Sequence, residues 1–179
     1  MKRAKQFYMA VIVICLIIIS VSIYYTLGGF DPVDVFVMEG KQRTVIGKEY
    51  VEKYDFEIFG GRFDETKAAI DSGFLKGQLT VLFYDEYNLG KDSVHYFMGA
   101  SIEEINDVLR LPAGYTYKEF KTDKIFKIFI TQHWLVRPVP EEMKELMEVK
   151  AIEEGAVLQP VSFELYYEDE SLSVERWAR

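Results

Sequence analysis

The sequence predicts a mixed α/β (α+β) domain, made of a duplicated strand–helix–strand–strand unit, behind one N-terminal apolar helix. Three observations carry this. Phe7 to Leu27 is a run of 21 residues without a charge. Beyond it remain about 150 residues, the size of one ordinary domain. In that remainder the order strand, helix, strand, strand occurs twice. VLFYDEY (Val81 to Tyr87) and ELYYEDE (Glu164 to Glu170) hold the same place in each copy, after a helix and before a last strand.

At about 1.5 Å per residue the apolar run spans about 30 Å, the thickness of a bilayer's hydrocarbon core. Tyr8 lies near one end and Tyr24 and Tyr25 near the other, where an interfacial aromatic belt sits; Gly28, Gly29 and Pro32 end the helix. The alternative is a cleaved signal peptide. Its apolar region is about 7–15 residues long and precedes a small-x-small site, which only Thr26-Leu27-Gly28 faintly mimics. Val13-Ile14-Cys15 lacks the small residues that precede a lipidated cysteine. Lys2, Arg3 and Lys5 come before the run, and only Lys41 and Arg43 follow nearby. The positive-inside rule therefore places residues 1–6 in the cytoplasm and the domain outside. The expected organisation is a membrane anchor over 7–27, a tether over 28–34 and a domain over 35–179.

The chain carries a net charge of −8, which becomes −11 without the three basic residues ahead of the anchor. Such a surface repels phosphate backbones, and no basic stripe offsets it, so nucleic acid is not an expected partner. The single cysteine, Cys15, excludes an intrachain disulfide. His95 and His133 stand far apart in sequence and make no metal-ligand cluster. No cofactor is expected.

Element by element, Asp31 to Val35 reads as the tether and Arg43 to Val51 as a strand. Phe56, Phe59, Phe63 and Ile70 recur at helical spacing, but Gly60-Gly61 interrupts them at about 1 kcal/mol each. The spacing predicts a helix from Asp64, a good N-cap, to Gly73. Gln78 to Tyr84 and Ser93 to Gly99 are strands joined by the turn-rich DEYNLGKD. Tyr115 to Phe120 and Ile125 to Thr131 are expected to form a hairpin around Lys121-Thr122-Asp123, an extra strand in the second copy. Pro138 and Pro140 introduce a helix that ends at Gly155, with Val139, Met143, Leu146, Met147 and Lys150 on one side. Strands at Ser162 to Tyr167 and Leu172 to Trp177 complete the chain.

The strand SFELYYEDE raises a question of its own. Alternation places Phe163, Leu165 and Tyr167 on one face and Glu164, Tyr166 and Glu168 on the other. The first face is core. The second is either solvated surface or the wall of a pocket. Aligned between the copies, Val81 falls where Glu164 falls, so one structural slot is apolar once and acidic once.

These residues carry a resemblance. The anchor ahead of a duplicated unit, FYDE in the first copy, LPAGYTYKEF (Leu111 to Phe120) and FELYYEDESLSVERW at the end resemble the GyrI-like domain, over roughly Val35 to Trp177. That domain is also the effector-binding half of several multidrug-responsive transcription regulators. The resemblance implies a pseudo-twofold domain that binds apolar, often cationic or aromatic, small molecules between its copies. It places Glu164 as the pocket acid and Tyr166 as an aromatic wall. Tyr117 and Trp134 are further candidates for ligand contact, against the plainer reading of core or rim packing.

Three functions follow as expectations. The leading one is a membrane-anchored domain binding an apolar or cationic small molecule. The alternative is a membrane-tethered adaptor with an inert cleft and protein partners that the sequence does not name. A hydrolase of strained electrophiles, known among GyrI-like relatives, comes last, because no Ser-His-Asp or Cys-His arrangement is present and no catalytic residue is singled out.

Overall fold

The computed structural model describes residues 2–85, 90, 92–102, 111 and 113–179, with side chains from Gln6 onward. Glu86 of FYDE, most of the turn after Asp85 and Pro112 of LPAG lie outside the described residues. Helix α1 (Lys2–Thr26) contains a 21-residue apolar stretch, Gln6–Thr26, that the rest of the chain leaves unburied. It is long and apolar enough to cross a membrane.

The remaining elements are β1 (Val35–Glu39), β2 (Gln42–Lys53), α2 (Phe56–Asp71), β3 (Gln78–Tyr84), β4 (Ser93–Ile102), β5 (Thr116–Lys121), β6 (Lys124–Ile130), α3 (Pro140–Glu153), β7 (Leu158–Tyr166) and β8 (Leu172–Ala178). All the strands join one antiparallel 8-stranded sheet in the order β1-β6-β8-β7-β3-β4-β2-β5. Exchanging β1 with β5, β2 with β6, β3 with β7 and β4 with β8 reads that order backwards onto itself. This is a pseudo-twofold axis, and it passes between β3 and β7 where Val81 opposes Glu164.

Four expectations need correction. Both copies have a leading strand, because residues just after the expected tether form β1; the extra strand is not peculiar to the second copy. Residues 116–121 and 124–130 do not form a hairpin with each other. β5 pairs with β2, whereas β6 pairs with β8 and β1, so each leading strand crosses to the other copy's half of the sheet. The two crossing corners brace one another: Gly40 N–H donates to the Asp123 carbonyl at 2.8 Å and Thr122 N–H to the Lys41 carbonyl at 3.2 Å. Helix α2 begins eight residues earlier than Asp64, at Phe56. Asp55 caps it, accepting from the N–H groups of Glu57 at 2.9 Å and Ile58 at 3.1 Å. Gly60 and Gly61 stand in open space within it, and the packing of Phe59 and Phe63 on the sheet offsets their cost. In α3 the buried stripe is Met143, Met147 and Ala151; Val139 and Leu146 are turned outward.

Both helices lie on one face of the sheet, α2 over β3 and β4 and α3 over β6 and β1. The sheet curls around its other face. In a flat sheet β2 and β8 would lie four spacings, about 19 Å, apart. Here Arg43 of β2 reaches Glu175 of β8 at 2.8 Å. Val45, Leu82, Phe97, Phe163, Leu165 and Trp177 fill the concave side.

Gly47 and Gly99 oppose each other in β2 and β4, where the two strands approach closely. A Cβ on Gly99 would come within 1.9 Å of the Ile46 carbonyl oxygen, and one on Gly47 within 2.2 Å of that of Met98. Backbone cannot yield there as a flexible side chain could. Gly99→Ala is expected to cost at least about 1–3 kcal/mol, read as a lower melting temperature; an unchanged melting temperature would show that the strands do not approach so closely.

Candidate functional site

The strand pleat decides what Glu164 faces. The even-numbered residues of β7 point to the helix side, and α2 and α3 leave a gap over the pseudo-twofold axis. The gap is a cavity of about 590 Å³, within the range of small-molecule sites. Tyr54, Phe59 and Phe83 of the first copy wall one side, and Met143 and Met147 of α3 wall the other. Glu164 and Tyr166 form its floor. Counted from the start of each helix, Phe59 corresponds to Met143 and Phe63 to Met147. The two walls are thus equivalent in position and different in chemistry: rings on one side, pliable thioethers on the other.

Those rings are mutually supported. Phe59 stacks on Phe83 at 6.0 Å and leans on Tyr96 at 5.3 Å, and Phe63 meets Tyr166 edge-on at 4.8 Å. The Gln78 amide donates to the Tyr166 carbonyl, and the Tyr166 hydroxyl donates to the Glu164 carboxylate.

The charge balance of the cleft is acidic. Its two basic residues share one acid: Asp85 holds Lys144 at 3.4 Å and Arg176 at 2.8 Å. Glu164, with Glu141 at the rim, is left facing the cavity. Water still reaches part of Glu164 from the cavity, but protein surrounds its carboxyl on nearly every other side. Burial pushes its pKa up; the Tyr166 hydrogen bond and the Arg137 charge pull it down without cancelling that push. Burial, and then the Glu164 carboxylate, push the Tyr166 phenol far above its ordinary value.

Of the residues singled out from sequence, Glu164 and Tyr166 come together in this cleft. Trp134, 67% exposed in the loop after β6, lines a neighbouring cavity of about 280 Å³ that shares Tyr166 with the cleft. Tyr117, 47% exposed, stands on the sheet-edge strand β5 opposite Ile46 and lines neither cavity. Sequence reasoning did not single out Phe59, Phe83, Met143 or Met147 as lining a site. The i, i+4 spacing of Phe59 with Phe63 and of Met143 with Met147 was the available signal, and core packing produces the same signal. Of the histidines, His95 contacts Glu49 at 2.9 Å on the helix-free face and His133 sits at the end of α1, so they do not meet. Among the described residues no group of three or more His, Cys, Asp and Glu side chains is placed to share a metal ion.

Comparison with solved structures identifies the architecture. The chain aligns with EcmrR in the cryo-EM structure of its DNA complex with a TM-score of 0.59 at 11% identity, over 99% of this chain and 70% of that one. It aligns with the crystal structure of the EcmrR C-terminal domain with a TM-score of 0.54 at 10% identity, over 82% of this chain and 98% of that domain. A hydrolase from Listeria innocua aligns with a TM-score of 0.50 at 7% identity, over 82% and 91% of the two chains. At such identities the likeness is one of fold: this is the duplicated GyrI-like architecture expected from sequence. No protein-family model and no curated protein sequence matches the chain.

Proposed function

We propose that this protein is a membrane-anchored domain that binds an apolar organic cation in the cleft between its two copies. The observation that carries the reading is the Glu164 carboxylate in the floor of a 590 Å³ cavity walled by aromatic and thioether side chains. Tyr166 is its hydrogen-bond partner among the described residues. A desolvated carboxylate of this kind is poorly satisfied when the cleft is empty, and a cation against it relieves that cost. Phe59, Phe83 and Tyr54 would each add cation–π attraction of about 0.5–2 kcal/mol. Lys144 and Arg176 do not compete for Glu164, because Asp85 already holds them. The anchor rests on the unburied apolar α1.

The test is the melting temperature of the full chain in lipid nanodiscs, against lipophilic cations and neutral aromatics of matched size. A ligand at a hundred times its dissociation constant adds about 2.7 kcal/mol of stability, or about 5–10 °C for a protein of this length. Stabilisation is expected from the cations and not from the neutral compounds. Equal shifts from both classes would remove Glu164 as the counter-charge. No shift across the panel would favour an inert cleft and a protein-binding role.

A further inference from the structure

Cavities stand in a row from Glu164 to the end of the apolar helix. The central cleft shares Tyr166 with the 280 Å³ cavity beside Trp134. That cavity shares Arg137 and Glu170 with a third, of about 240 Å³, whose walls include Thr26 and Leu27. Arg137 stands in the wall common to the second and third, donating from Nε to the Gln132 carbonyl at 3.0 Å and from its guanidinium to the Glu170 carbonyl.

The outer end of the row is tied to α1. His133 N–H donates to the Leu27 carbonyl at 3.1 Å, and the Gln132 amide reaches the Asp31 carbonyl at 3.5 Å. The loop between β6 and α3 is therefore held against the helix end. That loop exposes Trp134 by 67% and Leu135 by 61%, and Phe30 beside it is 63% exposed and packs on Tyr24 at 4.8 Å. A tryptophan, a leucine and a phenylalanine gathered at the end of a spanning helix are the side chains that settle at a membrane–water interface. Carboxylates outnumber bases along the row: Asp71, Glu168 and Glu170 against Lys67 and Arg137 in the middle cavity, and Asp169 and Glu170 against Arg137 in the outer one. A channel of that sign draws in cations.

We infer that this row is a lateral entry route, by which a lipophilic cation dissolved in the bilayer interface reaches the central cleft, with Trp134 and Leu135 seated among the lipid headgroups. The route rests on the anchor and on the cation-binding reading above. It adds the source of the ligand and the side chains that admit it. Tyr166, packed edge-on against Phe63 and bonded to Glu164, is the shared side chain that would turn aside to join the middle cavity to the cleft.

The experiment uses the full chain in nanodiscs of phosphatidylcholine and phosphatidylglycerol. Trp177 is fully buried, so Trp134→Phe leaves an interior reference emitter. The Trp134 emission is expected to be quenched by lipids spin-labelled near the headgroup and shielded from aqueous iodide. Emission open to iodide and indifferent to labelled lipid overturns the seating and with it the route. Stopped-flow binding of tetraphenylphosphonium then separates route from site. In Leu135→Asp, association and dissociation should both slow at least fivefold while the dissociation constant stays put; Leu135→Ser should do so less strongly, and melting temperatures check that each variant is folded. Glu164→Gln should instead weaken the equilibrium affinity. Unchanged rates in a folded Leu135→Asp would discard the route and leave the site standing. A wild-type chain that does not bind tetraphenylphosphonium would bring down the site and the route together.

Discussion

Glu175→Ala is expected to cost the protein about 3–5 kcal/mol of folding stability, the usual consequence of leaving one member of a buried ion pair alone. Glu175 and Arg43 are 3% and 4% exposed. Their contact is bidentate, at 2.8 and 3.2 Å, and the Trp177 indole N–H donates to the same carboxylate at 3.1 Å. The guanidinium lies 5.4 Å from the Trp177 ring and 5.6 Å from that of Phe163, so on losing Glu175 it would meet aromatic faces and no water. The pair also joins β2 of one copy to β8 of the other across the concave face. Its loss frees the curl of the sheet as well as a charge. The change should lower the melting temperature by about 6–20 °C at this chain length. The double variant Arg43→Met with Glu175→Leu should recover most of the loss, since an apolar pair leaves no charge stranded. A single variant within 1 kcal/mol of wild type would mean that water reaches the pair.

Glu164→Gln should act in the opposite direction on the empty protein. Burial raises the folded-state pKa of Glu164 above its unfolded value. Between those two values the native state holds a proton that the unfolded state has released, so stability falls as pH rises through that window. The contribution of Glu164 is fully present below the unfolded pKa and is lost once pH passes the folded one. At neutral pH the amide should therefore melt higher than wild type, by on the order of 1 kcal/mol, the cost of an under-satisfied buried polar group. At pH 4 the two should converge. The proposed cation binding would carry the reverse pH sign: with the carboxylate as counter-charge, affinity should rise with pH through the same window and lose that dependence in Glu164→Gln. Parallel melting curves of wild type and variant at every pH would show that Glu164 is solvated.

Much of this was legible because periodicity reports which face of an element is apolar. The bounds of β3 are those read from QLTVLFY, and the Glu164 and Tyr166 face of β7 was separable from that of Phe163 and Leu165 by alternation alone. The start of α2 was not legible, because propensity penalises Gly60 and Gly61 while the compensating ring packing is made with residues far along the chain. The β5–β6 hairpin failed for a related reason. A short link containing Thr122 and Asp123 is what a hairpin needs locally, and only the crossing with Gly40 and Lys41 sends the two strands to different partners.

By itself the sequence determined the apolar helix, the duplicated unit and the single acid in an otherwise apolar slot. All three are local patterns of hydrophobicity and charge, readable wherever they occur. Tertiary structure alone decided what that acid faces. Antiparallel pairing of β3 with β7 sets Glu164 on the pseudo-twofold axis, and two helices packed on one face leave a cleft above it. Curling of the sheet brings Arg43 to Glu175, 132 residues away. Such contacts depend on how separate surfaces are brought together, and no short window of sequence encodes that.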